Sequence, residues 1–196
     1  MSDSKPHIIT LCSASSLRYI PDFINQTQAT HLLEKWIDEM PWEQSSITMF
    51  GKQVKIPRLN TWYGDKPYAY SGTQFEAKKM TAEMVMLKEL VEKSSGLVFN
   101  SVLANWYRSG DDCMGWHSDD EASLGTDPQI ASVSLGDTRR FVLRQKSNKS
   151  NKHEIELQHG SMVMMLGKTQ SLWQHSLPRT KKSHTDRINL TFRYLE

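Results

Sequence analysis

Two stretches of the chain repeat their apolar residues at helical spacing. Thr27 to Met40 sets Leu32, Leu33, Trp36, Ile37 and Met40 on one side, and Pro41 follows. Thr81 to Lys93 does the same with Met84, Leu87 and Val91, and Gly96 lies just beyond. Apolar residues every three to four positions predict amphipathic helices, and a following proline or glycine ends them. Elsewhere the pattern reads as short strands: Ser101–Tyr107, Ile130–Leu135, Arg140–Arg144, Glu154–Gln158, Met162–Leu166, Ser171–His175 and Arg187–Tyr194. Ser46–Phe50 and Gln53–Pro57 flank Gly51-Lys52, a hairpin signal. Residues 1–16 are polar and read as loose. Many short strands between turn residues imply a sandwich or barrel, with the helices of the N-terminal half packed outside it. The expected fold class is therefore mainly β with flanking helices.

Bulk composition narrows this little but excludes a good deal. A chain of 196 residues with no internal repeat or Pro/Gly-rich linker is expected to form one domain over 1–196. A mean hydropathy of −0.57 and 38% hydrophobic residues fit a globular protein. No apolar run approaches the ~20 residues that span a bilayer, so no membrane partner is expected. Met1 to Leu11 lacks the basic start and apolar stretch of a signal peptide. Only Cys12 and Cys113 occur, too few for a disulfide framework, so a reducing interior, cytoplasmic or nuclear, is expected. Nothing in the sequence calls for more than a monomer.

Charge becomes informative when divided. From Asp137 onward there are 12 Lys/Arg against 5 Asp/Glu, whereas the first 136 residues carry 12 against 17. Such asymmetry fits a polyanionic partner, and it equally fits a solvated lysine-rich hairpin at Lys146–Lys152.

Candidate chemistry lies in the C-terminal half. His117 and Asp119 stand two apart, so extended backbone would aim both side chains the same way. His175 follows 58 residues later, among Leu172, Trp173 and Leu177. Two imidazoles and a carboxylate are the donors of a facial triad that leaves ferrous iron open positions for a co-substrate and oxygen. His-x-Asp alone is common and fits a structural pair as well. Cys113 reads as a small loop residue, since a thiolate would favour zinc. His7, His31, His153 and His184 sit in polar surroundings and are expected to be exposed, and His159 before Gly160 to lie in a turn. In the last strand Arg187, Asn189, Thr191 and Arg193 share one face, opposite Ile188, Leu190 and Phe192. That face suits either water or, inside a barrel, an anion that offsets two buried arginines. Asn105 and Tyr107 form a second polar pair.

In this order, Asn105-x-Tyr107, His117-x-Asp119, His175 and Arg187-x-Asn189-x-Thr191-x-Arg193 resemble the AlkB family of Fe(II)/2-oxoglutarate-dependent dioxygenases, in its DNA-repair branch. The likeness spans roughly residues 46 to 193 and implies a double-stranded β-helix, or jelly roll. The core would cover 100–194, and a nucleotide-recognition lid 42–72. It implies that His117, Asp119 and His175 bind Fe(II), the catalytic centre at which O2 reacts. Arg187, with Asn105 and Tyr107, would hold the distal carboxylate of 2-oxoglutarate. Asn189, Thr191 and Arg193 would surround its iron-side end, with Arg193 near Asp119.

The substrate implied by the resemblance is an alkylated base, 1-methyladenine or 3-methylcytosine, in DNA, with RNA as a second candidate. Met49-Phe50-Gly51-Lys52 looks like the hairpin with which that branch searches for damage. Phe50 at its tip has two readings: a wedge that fills the gap left by a flipped base, or a side chain folded onto the core. Lys52 and Arg58 are placed to meet phosphates, although single basic residues are usually solvated. By analogy Tyr70 would stack on the extruded base and Tyr68 would contact its edge. The gap before these tyrosines is a few residues shorter here than in the family. Asp120 and Glu121 either accept hydrogen bonds from an exocyclic amine or sit on an exposed acidic loop. A cationic methylated ring would gain more from such carboxylates than a neutral base does. Two rivals remain open: a hydroxylase of a protein or small molecule, and a non-enzymatic jelly-roll binding module.

Overall fold

The structure, a computed structural model, describes residues 5–49, 52–70, 73–182 and 184–196, with only backbone at 47–49, 68–70 and 73–74. Strands β1 (His7–Cys12) and β2 (Ser15–Ile20) precede helix α1 (Gln26–Glu39). The hairpin β3 (Ser46–Met49) and β4 (Lys52–Lys55) follows, then β5 (Leu59–Gly64) and the small pair β6 (Tyr68–Tyr70) and β7 (Thr73–Phe75). After α2 (Ala82–Ser95) come β8 (Ser101–Tyr107), β9 (Met114–His117), β10 (Ile130–Gly136), β11 (Arg139–Gln145), β12 (Lys152–Leu157) and β13 (Met162–Gly167). A single helical turn, α3 (Thr169–Leu172), leads into β14 (Trp173–Leu177), and β15 (Arg187–Arg193) is the last strand.

Two sheets face each other as a jelly roll. The larger runs β1-β2-β13-β10-β15-β8-β5 and the smaller β12-β11-β14-β9. Alternation along each strand of the larger sheet divides its residues between two layers. Val102, Ala104, Val133, Leu135, Ile188, Leu190 and Phe192 face outward and pack with Trp36 of α1 and Met84, Leu87 and Val91 of α2. Leu17, Tyr19, Ile130, Val163 and Met165 face inward and meet Phe141, Leu143, Leu157 and Trp173. The second layer fills one end of the space between the sheets and leaves the other end to polar side chains.

Both helices form where their pattern predicts, and each starts on a side-chain cap. The Asn25 side chain accepts from the Gln28 amide at 2.9 Å, and Thr81 Oγ1 accepts from that of Met84 at 3.3 Å. Gly96 ends α2 at φ 74°, the left-handed conformation that glycine adopts at little cost. No helix among the described residues is long and apolar enough to cross a membrane.

Three expectations need correction. Within the segment 1–16 expected to be loose, the residues from His7 onward are ordered in strands, because β1 pairs with β2 and β2 pairs with β13. The partner of β2 lies more than a hundred residues away, where no local pattern reveals it. Ser171 and Leu172 belong to the turn α3, and the strand starts at Trp173. Tyr194 falls beyond β15 and is 51% exposed.

Candidate metal centre

Strands β9 and β14 are neighbours in the smaller sheet, and their register sets His117 opposite His175. Their rings meet edge to face, centroids 4.1 Å apart. The chain leaves β9 at His117, and Asp119 is fixed by contacts rather than by strand pairing. Its amide donates to Gln170 Oε1 at 3.0 Å, while the neighbouring Ser118 hydroxyl donates to the Trp173 carbonyl at 2.9 Å. Ligand atoms of His117, Asp119 and His175 all lie within 4.8 Å of one another, the one such group of three among the described residues. Cys113 is not part of it.

Protonation suits a cation. His117 Nδ1 lies 2.9 Å from the Gly115 carbonyl, which can only accept, so this nitrogen carries the proton and Nε2 keeps its lone pair. Burial, then the neighbouring His117, push the His175 imidazole down to about 3. Burial likewise lowers His117, against the pull of Asp119. For Asp119, burial acts upward, but Arg193, His175 and His117 outweigh it and hold the carboxyl below its ordinary value. Arg193 Nη2 donates to Asp119 Oδ1 at 2.5 Å, with both side chains almost fully buried. The site thus holds two neutral imidazoles and one ionised carboxylate.

Behind these groups lies a narrow recess of about 50 Å³, lined also by Asn105, Tyr107, Arg187, Asn189, Thr191 and Arg193. Strand register brings the polar faces together: Arg187 stands opposite Tyr107 and Asn189 opposite Asn105. Gly136, at φ 90° and in register with Arg187, allows β10 to approach this end, where an added Cβ would meet the Asp186 carbonyl. Asn189 and Thr191 are tied inward. Asn189 donates to Ser132 Oγ at 2.6 Å, and Thr191 Oγ1 donates to Asn189 Oδ1 at 3.1 Å.

Arg187 is different. Its Nη2 donates to Ser134 Oγ at 2.9 Å, its Nε is buried without a partner, and its guanidinium lies 5.2 Å from the Tyr107 ring centroid. Arg139 lies 6.0 Å from the same ring. It donates to the carbonyls of Ser109, Asp112 and Pro178 at 3.0, 2.9 and 3.0 Å. Neither arginine forms an ion pair with a carboxylate among the described residues. Burial brings Arg187 down to about 10, and Arg139 adds to that while Tyr107 opposes it. An uncompensated buried ion costs several kcal/mol, so this end of the recess is prepared for an anion.

Other expected residues fare unevenly. Arg58 is only 4% exposed; it donates to Asn105 Oδ1 at 2.8 Å and to the Cys113 carbonyl at 3.3 Å. These bonds orient Asn105 and leave little of Arg58 at the surface. Asp120 is paired with Lys146 at 2.9 Å, and Glu121 is half-buried at the start of a 3-10 turn. Lys52 is exposed at the start of β4. Phe50 and Gly51 lie outside the described residues, as do the side chains of Tyr68 and Tyr70. His184, expected to be exposed, is largely covered and bonded to Asp137 at 2.7 Å, and His153 packs edge to face on Trp173. Ser134, Arg139 and Gln170 were not foreseen. Arg139 carried a weak signal, as one of two adjacent arginines at the head of a strand.

A model of the 2OG-Fe(II) oxygenase superfamily matches residues 16–193. The chain belongs to that superfamily. The chain is 39% identical over 182 residues to alpha-ketoglutarate-dependent dioxygenase alkB homolog 3 of Bos taurus, covering 88% of this chain and 64% of that one. It is 37% identical over 171 residues to DNA oxidative demethylase ALKBH2 of Bos taurus, covering 82% and 61%. The chain thus spans slightly less than two thirds of either relative. The solved structure of OsALKBH1 superposes with a TM-score of 0.70 at 16% identity, over 96% of this chain and 100% of that one, which shows the shared fold.

The buried imidazoles predict acid sensitivity. With His175 at about 3 in the fold and 6.5 in the open chain, the unfolded state binds more protons between these values. The stability this group contributes is present above pH 6.5 and is lost as pH falls toward 3. Melting temperatures of the metal-free protein should therefore drop steadily below neutrality, and His175→Phe should flatten the slope. An unchanged slope in that variant would show that His175 is not the titrating group.

Proposed function

We propose that this oxygenase is an oxidative demethylase of N-alkylated bases such as 1-methyladenine and 3-methylcytosine in DNA, with RNA as a second substrate. The observation that carries the reading is the convergence of His117, Asp119 and His175 at one end of a recess whose other end holds the uncompensated Arg187. The donor set fits ferrous iron with positions left open. The unpartnered Nε of Arg187 fits the distal carboxylate of 2-oxoglutarate. Relatives named as an alpha-ketoglutarate-dependent dioxygenase and a DNA oxidative demethylase support the substrate class.

Bound together, Fe(II), 2-oxoglutarate and O2 supply the oxidising power that hydroxylates an N-alkyl group, leaving succinate, CO2, formaldehyde and the restored base. The chain's own part is placement and charge. His117 presents Nε2 because Gly115 holds the proton at Nδ1. Arg193 keeps Asp119 ionised and aimed at the shared position. Ser134 and the Tyr107 ring hold the Arg187 guanidinium, with Asn105, oriented by Arg58, on the adjacent strand. Apolar Leu103, Phe141 and Leu157 line the same recess and limit water around the reacting groups. The hairpin of β3 and β4, whose second strand is exposed and begins at Lys52, is the part we assign to the DNA, with Phe50 between the two strands in the sequence.

Incubation with Fe(II), 2-oxoglutarate, O2 and an oligonucleotide bearing 1-methyladenine or 3-methylcytosine should release formaldehyde in step with loss of the methyl group. Formaldehyde from none of a panel of methylated DNA and RNA would remove this reading.

A further inference from the structure

Of the chain's six tryptophans, only Trp116 is exposed, at 36%; Trp36, Trp62 and Trp173 are buried, and Trp42 and Trp106 half-buried. An exposed indole in a protein that covers the other five wholly or in part calls for a reason. Trp116 precedes His117 on β9, so its ring lies on the opposite face of the strand from the metal-site imidazole. The Arg144 guanidinium stacks on it, 4.2 Å from the ring centroid. Gln174 Oε1 holds that guanidinium from Nε at 3.0 Å and from Nη2 at 2.8 Å. Arg144 has no carboxylate partner among the described residues, and its positive charge is thus immobilised without being neutralised.

The surroundings favour an anion. Arg144 stands in register with exposed Lys152. Glu154 and Glu156 stand opposite Val142 and Arg140, toward the far end of β11, and Arg140 pairs with Glu154 at 3.2 Å. β9 is also the edge strand of its sheet. A chain molecule that inserts one unit into the recess on the inner face can cross this edge and lay the next on the outer face. Aromatic faces beside fixed cations are the usual platform for single-stranded nucleic acid, with bases stacking and phosphates meeting the cation.

We infer that Trp116 and Arg144 form a nucleotide-binding platform that stacks a base flanking the target in a single-stranded substrate and receives a backbone phosphate. This rests on the demethylase reading and adds a contact outside the reaction site. It predicts a preference for extended strands over a lone modified nucleotide.

The test is equilibrium binding of a fluorescently labelled single-stranded oligonucleotide with a central 1-methyladenine, to protein loaded with Mn(II) and 2-oxoglutarate so that no turnover occurs. Trp116→Ala should weaken binding by about tenfold, the scale of one stacked base, and Trp116→Phe should restore most of it. Arg144→Gln should lower the slope of log affinity against log salt by about one. Calorimetric binding of Mn(II) and 2-oxoglutarate verifies that each variant is folded. In the wild type, the oligonucleotide should quench tryptophan emission, and Trp116→Phe should abolish the quench. Unchanged oligonucleotide affinity in Trp116→Ala overturns the platform while leaving demethylation intact. Wild-type protein that neither binds the oligonucleotide nor releases formaldehyde from it overturns both.

Discussion

Arg187→Met should weaken 2-oxoglutarate binding by at least about a hundredfold while leaving the co-substrate-free protein as stable as before, or more so. Both effects have one cause. Arg187 is 1% exposed, its Nε has no partner, and a second buried guanidinium lies near the same Tyr107 ring. Without an anion the fold carries a desolvated charge costing several kcal/mol, and an isosteric apolar residue removes that cost. With the anion, the same charge supplies a carboxylate contact that methionine cannot make. Calorimetry with 2-oxoglutarate and thermal melts of the metal-free protein separate the two. A variant that loses stability and affinity together would mean that Arg187 serves the fold and not the ligand.

Asp119→Ala is expected to act in the opposite sense on stability. Arg193 donates to this carboxylate at 2.5 Å in a buried setting. Removing one partner of such a pair costs about 3–5 kcal/mol, visible as a lower denaturation midpoint in metal-free protein. Formaldehyde release should fall to background, because two imidazoles alone do not hold ferrous iron against water. Asp119→Asn keeps an acceptor for Arg193, so it should recover much of the stability and little of the turnover. Near-wild-type turnover in either variant would exclude Asp119 from the metal site.

The sequence carried more of the site than of the frame around it. Alternation in Arg187–Arg193 exposed a polar and an apolar face, but the polar face borders an enclosed recess, and all seven residues are buried. Only register with β8 and β10 reveals that. Helices α1 and α2 were legible because their apolar stripes and caps are local. β1 and β2 were not, since the pairing that orders them joins the two halves of the chain. The bond from Arg58 Nε to Asn105, 47 residues on, was illegible for a related reason, since only the fold brings the two together. Gln170 and Arg139 left almost no trace, because what they do is hydrogen-bond to backbone amide or carbonyl groups, and such partners have no identity in a sequence.

The most direct test is diffraction from crystals of the protein with Mn(II) and 2-oxoglutarate, recorded at the manganese absorption edge. The account predicts one anomalous peak per chain, touching His117 Nε2, the Asp119 carboxylate and His175, with co-substrate density running from the metal to Arg187. A metal held elsewhere, or a co-substrate that does not reach Arg187, would contradict it.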